Sequence, residues 1–288
     1  MAILTQQGAS HTENQDRAVV FTPFKTQFTA STNSMIHDNN SFLIGLFDGH
    51  GRQGHIVASY ILHDLPGRLA GKLNAMKHFD DNVIIKALND TFMEVNAHGP
   101  PNLLMGGSTG SVTLRIGSKL YIANTGDSQT VLFSISESND PIIEFATRKD
   151  KPILPEEYKR ITNLKGNVHI NPHTNDSRVV VWSVAQRDTI ALAMSRSIGD
   201  WEWKPVGVTA EPLVDVIDLK KYPKSYLMVA SDGLWDVRRK EFYGKQFMES
   251  FYGGQTHPLV KAVEVFEKVT PKRNIGYRDD MTAILMKL

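Results

Sequence analysis

A chain of 288 residues, 41% of them hydrophobic, can bury one large core or two small ones. Its 32 Lys and Arg nearly balance 31 Asp and Glu, so nothing global points to nucleic acid or to an anionic membrane. The absence of cysteine excludes a disulfide framework, a thiolate metal site and a Cys nucleophile. The stretch Met1-Ala2-Ile3-Leu4-Thr5-Gln6-Gln7 lacks the basic and apolar regions of a signal peptide, Met1-Ala2 lacks the glycine of a myristoylation signal, and no apolar run is long enough to span a bilayer. The default is a soluble protein of the cytoplasm or nucleus.

Residues 8–16 are polar and loop-like, and Arg17–Phe21 reads as a short strand. Residues 23–40, rich in Thr, Ser and Asn, read as loop or weak hairpin. The apolar run from Leu43 to Phe47 reads as a buried strand that stops at an Asp48-Gly49 turn. Helical spacing follows over about 53–73, with Pro66-Gly67 expected to end or break it. A second helix is predicted over 81–97, capped by Asp80 or Asp81. Residues 108–116, 119–124 and 130–134 read as a three-strand meander. One short helix is expected near 156–164 within a loop-rich stretch, then strands at 179–184, 189–194, 213–217 and 226–230. Helices at 242–251 and 258–269 and a closing strand at 281–286 complete the chain. Helices that cluster rather than alternate with strands argue for an α+β fold of layered antiparallel sheets. No repeat, linker or low-complexity run divides the chain, so a single domain over residues 1–288 is expected.

Carboxylates recur at the tips of these strands. Asp48, Asp127, Asp232 and Asp279 each follow or precede an apolar run, and Asp16 directly precedes the strand at Arg17. Carboxylates gathered at strand ends repel one another unless a cation sits among them. All-oxygen ligands suit Mg²⁺ or Mn²⁺ better than Zn²⁺, and paired metals support in-line phosphoryl displacement. A single Asp-Gly is an ordinary turn, so the argument rests on the recurrence. The stretch Gly49-His50-Gly51-Arg52-Gln53-Gly54 also spells a dinucleotide fingerprint. That reading requires an acidic residue about 20 positions on at a strand end, where this chain has Leu65-Pro66-Gly67-Arg68-Leu69-Ala70. The short basic runs at Lys220-Lys221 and Arg238-Arg239-Lys240 read as solvated surface, and the four tryptophans, Trp182, Trp201, Trp203 and Trp235, as core or rim residues.

In order along the chain, Asn14-Gln15-Asp16, Phe47-Asp48-Gly49-His50-Gly51, Gly107-Ser108-Thr109, Ala123-Asn124-Thr125-Gly126-Asp127-Ser128, Met194-Ser195-Arg196-Ser197-Ile198-Gly199-Asp200, Ala230-Ser231-Asp232-Gly233-Leu234-Trp235-Asp236-Val237 and Arg278-Asp279-Asp280-Met281-Thr282 resemble the motifs of the type-2C, metal-dependent serine/threonine protein phosphatases. The resemblance covers nearly the whole chain. It implies a four-layer fold, a β-sandwich flanked by helices on both sides. It implies hydrolysis of phosphoserine and phosphothreonine in phosphoproteins by a water bridging two Mg²⁺ or Mn²⁺ ions, with a third, weaker ion. Asp48, Asp232 and Asp279 would be metal ligands, joined by the Gly49 carbonyl. Asp16 would act through water, Asp127 and Asp200 would serve the third ion, and His50 would be the general acid. No nucleic acid, membrane or partner subunit is implied, and a monomer is the family-like default.

The chain departs from the pattern at four places. His11 stands where the family often has an Arg that binds substrate phosphate, and imidazole offers neither a fork nor a permanent charge. Gln15 stands for Glu, Gln129 for Arg, and Lys149-Asp150-Lys151-Pro152 for Asp-His-Lys-Pro. A phosphatase fold that binds without turnover is the rival these changes support; the retained Asp48, Asp232 and Asp279 argue against it.

Overall fold

The computed structural model describes residues 1–9, 12–24, 40–76, 80–99, 106–184, 186–254, 256–270 and 278–288. His11 and most of the loop expected over 23–40 lie outside the described residues. Two antiparallel sheets face each other. The larger holds β2 (Asp16–Phe21), β3 (Phe42–Gly51), β4 (Gly106–Ser108), β5 (Gly110–Ile116), β6 (Lys119–Thr125), β12 (Ile198–Gly199) and β13 (Leu213–Asp218). The smaller has the order β1-β15-β14-β7-β8, from β1 (Ala2–Gln6), β15 (Met281–Lys287), β14 (Ser225–Ala230), β7 (Gln129–Ile135) and β8 (Pro141–Ala146). A third, small sheet joins β9 (Asn167–Ile170), β10 (Ser177–Ser183) and β11 (Asp188–Leu192).

The layers follow from strand periodicity. On β3, Leu43 and Phe47 pack outward against Ile61, Leu65 and Leu69 of α1 (Gly54–Asn74) and Leu88 and Phe92 of α2 (Asp81–Ala97). The alternate residues Ile44 and Leu46 pack inward against Leu132, Leu227, Val229 and Ile284 of the smaller sheet. A strand buried on both faces loses the polar alternation and reads as a continuous apolar run. On the far side, α5 (Lys240–Tyr252) and α6 (Pro258–Val269) lay Phe247 and Phe266 on Met228 and Leu285. The arrangement is helix, sheet, sheet, helix, as expected. The short α3 (Pro155–Asn163) and the four-residue α4 (Asp232–Trp235) complete the helices among the described residues.

Local expectations fail in instructive ways. The strand carrying Asp48 does not turn there: β3 continues to Gly51 because a new partner, β4, meets it, with Gly49 opposite Ser108 and Gly51 opposite Gly106. Helix α1 runs unbroken through Pro66. Proline removes one backbone donor, but the buried face of Ile61, Leu65, Leu69 and Leu73 holds the helix in place. The predicted meander splits: β5 pairs with β6, then the chain crosses at Gly126-Asp127-Ser128 and β7 joins the other sheet. Asp80 is the cap of α2, accepting from the Val83 amide at 3.0 Å, a contribution of about 1 kcal/mol. Strands β1, β8 and β9 lie outside the sequence expectations. Of the tryptophans, Trp203 and Trp235 are buried, whereas Trp182 is 65% exposed.

Candidate active site

Strand parity builds the site. Ala18 and Val20 of β2, like Ile44 and Leu46 of β3, face the space between the sheets. Counting by two along each strand brings Asp16 and Asp48 to that same side, and the register sets them directly opposite each other. From the other sheet, β14 delivers Asp232 just beyond its end, and Asp279 stands before β15. Asp127 sits where the chain crosses between sheets. Asp48, Gly49, His50, Asp127, Asp200, Asp232 and Asp279 all line one cavity of about 1180 Å³. Asp16 is behind them, 4% exposed, with one carboxylate oxygen accepting from the Ser231 hydroxyl at 2.8 Å.

Backbone fit is tight around Asp48. Its amide donates to Thr109 Oγ1 at 3.1 Å and its carbonyl accepts from the Thr109 amide at 2.9 Å. A methyl group on Gly49 would lie 2.4 Å from the Gly54 carbonyl oxygen, so no larger residue fits beside Asp48. Asp280, the neighbour of Asp279, is structural: it accepts from the Gly8 amide at 2.6 Å and the Gln15 amide at 2.8 Å, tying the loop before Asp16 to the last strand.

The electrostatics are those of anions held together without enough counter-charge. Burial raises the Asp48 carboxyl well above the usual range, and Asp16, Asp232, Asp127 and Asp279 push it further. Asp232 is pushed up to about 7 by burial, then by Asp127, Asp236 and Asp279, with Lys151 opposing. Burial brings Asp16 to about 6, against hydrogen bonds from Thr282 and Ser231. One oxygen each of Asp16 and Asp127 is buried with no hydrogen-bond partner among the described residues. Such groups suit a hard divalent cation. Among the described residues no three His, Asp or Glu side chains converge closely enough to hold an ion alone.

His50 and Asp200 form a pair. His50 Nε2 and Asp200 Oδ2 are 2.7 Å apart. Burial opposes the charged ring, but the charge and hydrogen bond of Asp200, with Asp127 behind, outweigh it and raise the His50 pKa. Burial likewise opposes ionised Asp200, and His50 and Lys204 together hold its pKa below the usual value. Asp200 has φ +50°, and a methyl group on Gly107 would stand 2.2 Å from its carboxylate. Gly107 is therefore the space that Asp200 fills.

Some functional neighbours were not legible. Lys151 donates to Asp127 Oδ2 at 2.5 Å. Asp150 accepts from the Gly126 amide at 3.0 Å and from Arg148 at 2.7 Å. The stretch that replaces Asp-His-Lys-Pro thus clamps the Asp127 turn. A lone Lys in a loop gives no signal of this without the crossing that brings it near. Gln129 is buried and donates to the Thr147 carbonyl, a structural use.

The protein phosphatase 2C family model matches residues 16–242. The chain belongs to this family. It is 30% identical over 287 residues to a probable protein phosphatase 2C 72 of Arabidopsis thaliana, covering 96% of this chain and 81% of that one. It is 29% identical over 243 residues to a probable protein phosphatase 2C 61 of the same plant, covering 82% and 69%. The crystal structure of a serine-threonine phosphatase 2C from Toxoplasma gondii shares the fold, with a TM-score of 0.80, 19% identity, and coverage of 99% and 93%. This member of the family is a metal-dependent protein serine/threonine phosphatase of the Mg²⁺ and Mn²⁺ class, with phosphoproteins as substrates. Among the described residues no helix is long and apolar enough to cross a membrane.

Proposed function

We propose that residues 1–288 act as one catalytic domain, a monomer, that hydrolyses phosphoserine and phosphothreonine at a binuclear aspartate site. Asp48, Asp232 and Asp279, with the Gly49 carbonyl, would hold two divalent ions, with Asp16 behind them acting through water. Asp127 would hold a third more weakly, because Lys151 already neutralises one of its oxygens. Bound Mg²⁺ or Mn²⁺ would supply positive charge against the phosphoryl oxygens and lower the pKa of water at the site.

The chain's own groups handle the leaving side. A serine or threonine alkoxide is a poor leaving group and requires a proton as the P–O bond breaks. His50 supplies it, with Asp200 holding the ring by Nε2; Nδ1 is buried and no described residue bonds it. The observation that carries this reading is the convergence of Asp48, Asp232, Asp279 and the His50–Asp200 pair on one cavity. The test is hydrolysis of a phosphothreonine peptide after EDTA, with Mg²⁺ or Mn²⁺ added back. Activity should return with metal and fall at least about a thousandfold in Asp232→Ala, as for loss of a principal electrostatic element. Folded protein with no activity under either metal would sink the reading.

A further inference from the structure

The cavity has to admit a phosphorylated side chain carrying close to two negative charges. Carboxylates at its floor repel such a group, and a cation at the mouth draws it in. Arg52, Lys151 and Arg178 are the arginine and lysine side chains that line it. Two are committed within the protein. Lys151 is bound to Asp127 at 2.5 Å, and Arg178 donates to Asp176 at 3.2 Å. Arg52 has neither a hydrogen bond nor an ion pair among the described residues, and it is exposed.

Its backbone, by contrast, is fixed. Gly51 ends β3 with φ +75°, a left-handed conformation that turns the chain out of the sheet. The Gly51 carbonyl accepts from Gln15 Nε2 at 2.9 Å. Beyond Arg52, the Gln53 carbonyl takes the Ile56 and Val57 amides at 3.0 and 3.1 Å and starts α1. The guanidinium is thus free while its root is held on both sides, on the strand that carries Asp48 and His50. Gln15 earns its place here: an ionised Glu has no proton to give a carbonyl.

We propose that Arg52, on the turn pinned by Gln15, captures the phosphoryl group of the incoming phosphoserine or phosphothreonine. This rests on the phosphatase reading of the same cavity. Its planar fork matches two phosphoryl oxygens, as imidazole at position 11 does not. Of Arg52, Lys151 and Arg178, Arg52 alone has no carboxylate partner among the described residues.

The experiment pairs kinetics with binding. KM and kcat are measured on a phosphothreonine peptide in Mn²⁺. The Kd of a labelled peptide carrying a non-hydrolysable phosphonate is measured beside that of its unphosphorylated form. The proteins are wild type, Arg52→Ala, Arg52→Lys and Arg178→Ala. Arg52→Ala should raise KM and the phosphonate Kd about tenfold or more, the scale of a charge-assisted bond, with a smaller effect on kcat and none on the unphosphorylated peptide. Arg52→Lys should fall between, having charge without the fork. If Arg52→Ala matches wild type in both, or Arg178→Ala shows the loss instead, the proposal is wrong and Arg52 is a solvated side chain. Arg52-dependent phosphonate binding in a wild type that hydrolyses nothing would support capture and sink the catalytic reading alone.

Discussion

Glu157 and Asp16 are both carboxylates withdrawn from water, and the molecule treats them in opposite ways. Glu157, at the start of α3, accepts from Arg148 at 2.8 Å, Arg160 at 2.6 Å and Arg196 at 2.9 Å. Burial alone would raise its pKa; the hydrogen bonds from Arg160 and Arg196, with the arginine charge, hold it at about 2. Among the described residues the Asp16 carboxylate meets the Ser231 and Thr282 hydroxyls and other carboxylates, and burial raises it to about 6. A buried anion that the chain neutralises with its own arginines is part of the frame. One that the chain leaves short of positive charge has capacity for a cation, as the proposed metal site requires.

The largest effect expected from breaking this contrast, beyond the loss of activity in Asp232→Ala, is on Glu157. Glu157→Gln strands three guanidinium groups around a neutral amide and should cost about 3 kcal/mol in urea unfolding, the lower end for a broken buried pair because two of the arginines are partly exposed. Its folded pKa lies below the unfolded value of 4.5, so its stabilisation is complete above that pH and is lost as pH falls toward 2. The gap between wild type and Glu157→Gln should narrow over that window. A constant gap would mean that packing, not charge, is what the substitution removes.

The cavity should behave in the reverse sense. Asp16 and Asp232 have folded pKa values of about 6 and about 7, above the ordinary 3.8. The folded state therefore holds more protons than the unfolded chain between those limits, and the metal-free protein should lose stability as pH rises through them. Adding Mn²⁺ at pH 7.5 should restore it, by about 2.7 kcal/mol at a hundredfold excess over Kd. Thermal melts with EDTA and with Mn²⁺ would show this, and Asp232→Asn should raise the metal-free melting temperature while shrinking the gain from Mn²⁺. Equal metal response in wild type and variant would remove Asp232 from the ligand set.

Asp200 is the intermediate case, a cavity carboxylate with an internal partner. Asp200→Asn keeps the shape but weakens the hold on His50. It should reduce kcat on a phosphothreonine peptide about tenfold, a fraction of what a general acid contributes. The loss should be smaller on p-nitrophenyl phosphate, whose leaving group needs no proton. Equal losses on both substrates would place Asp200 with the metals instead.

The carboxylates were legible because each follows or precedes an apolar run, and strand parity does the rest. What the sequence concealed depends on pairing between distant segments. Strand pattern does not separate Asp279 from Asp280, and only the motif did; one lines the cavity and the other grips the Gly8 and Gln15 amides. Nothing in Asp48-Gly49 says that the strand continues, since the reason is β4, which meets it from residues 106–108. The crossing at Gly126 hid in the same way, because β7 alternates like its neighbours and only the choice of sheet differs. Asp200 was legible as a motif residue, but its contact with His50 spans 150 positions.

The place of β15 has a consequence in time. It lies between β1 and β14, in the interior of the smaller sheet rather than at an edge. β14 can pair with β7 as soon as it is made, but residues 2–6 find their ladder only when residues 281–287 emerge. Asp279 and Asp280 arrive with that strand, after Asp16, Asp48, Asp127, Asp200 and Asp232 have been made. Until residues 279–287 emerge, a chain with the larger sheet already formed lacks both Asp279 in the cavity and the grip of Asp280 on the Gly8 and Gln15 amides.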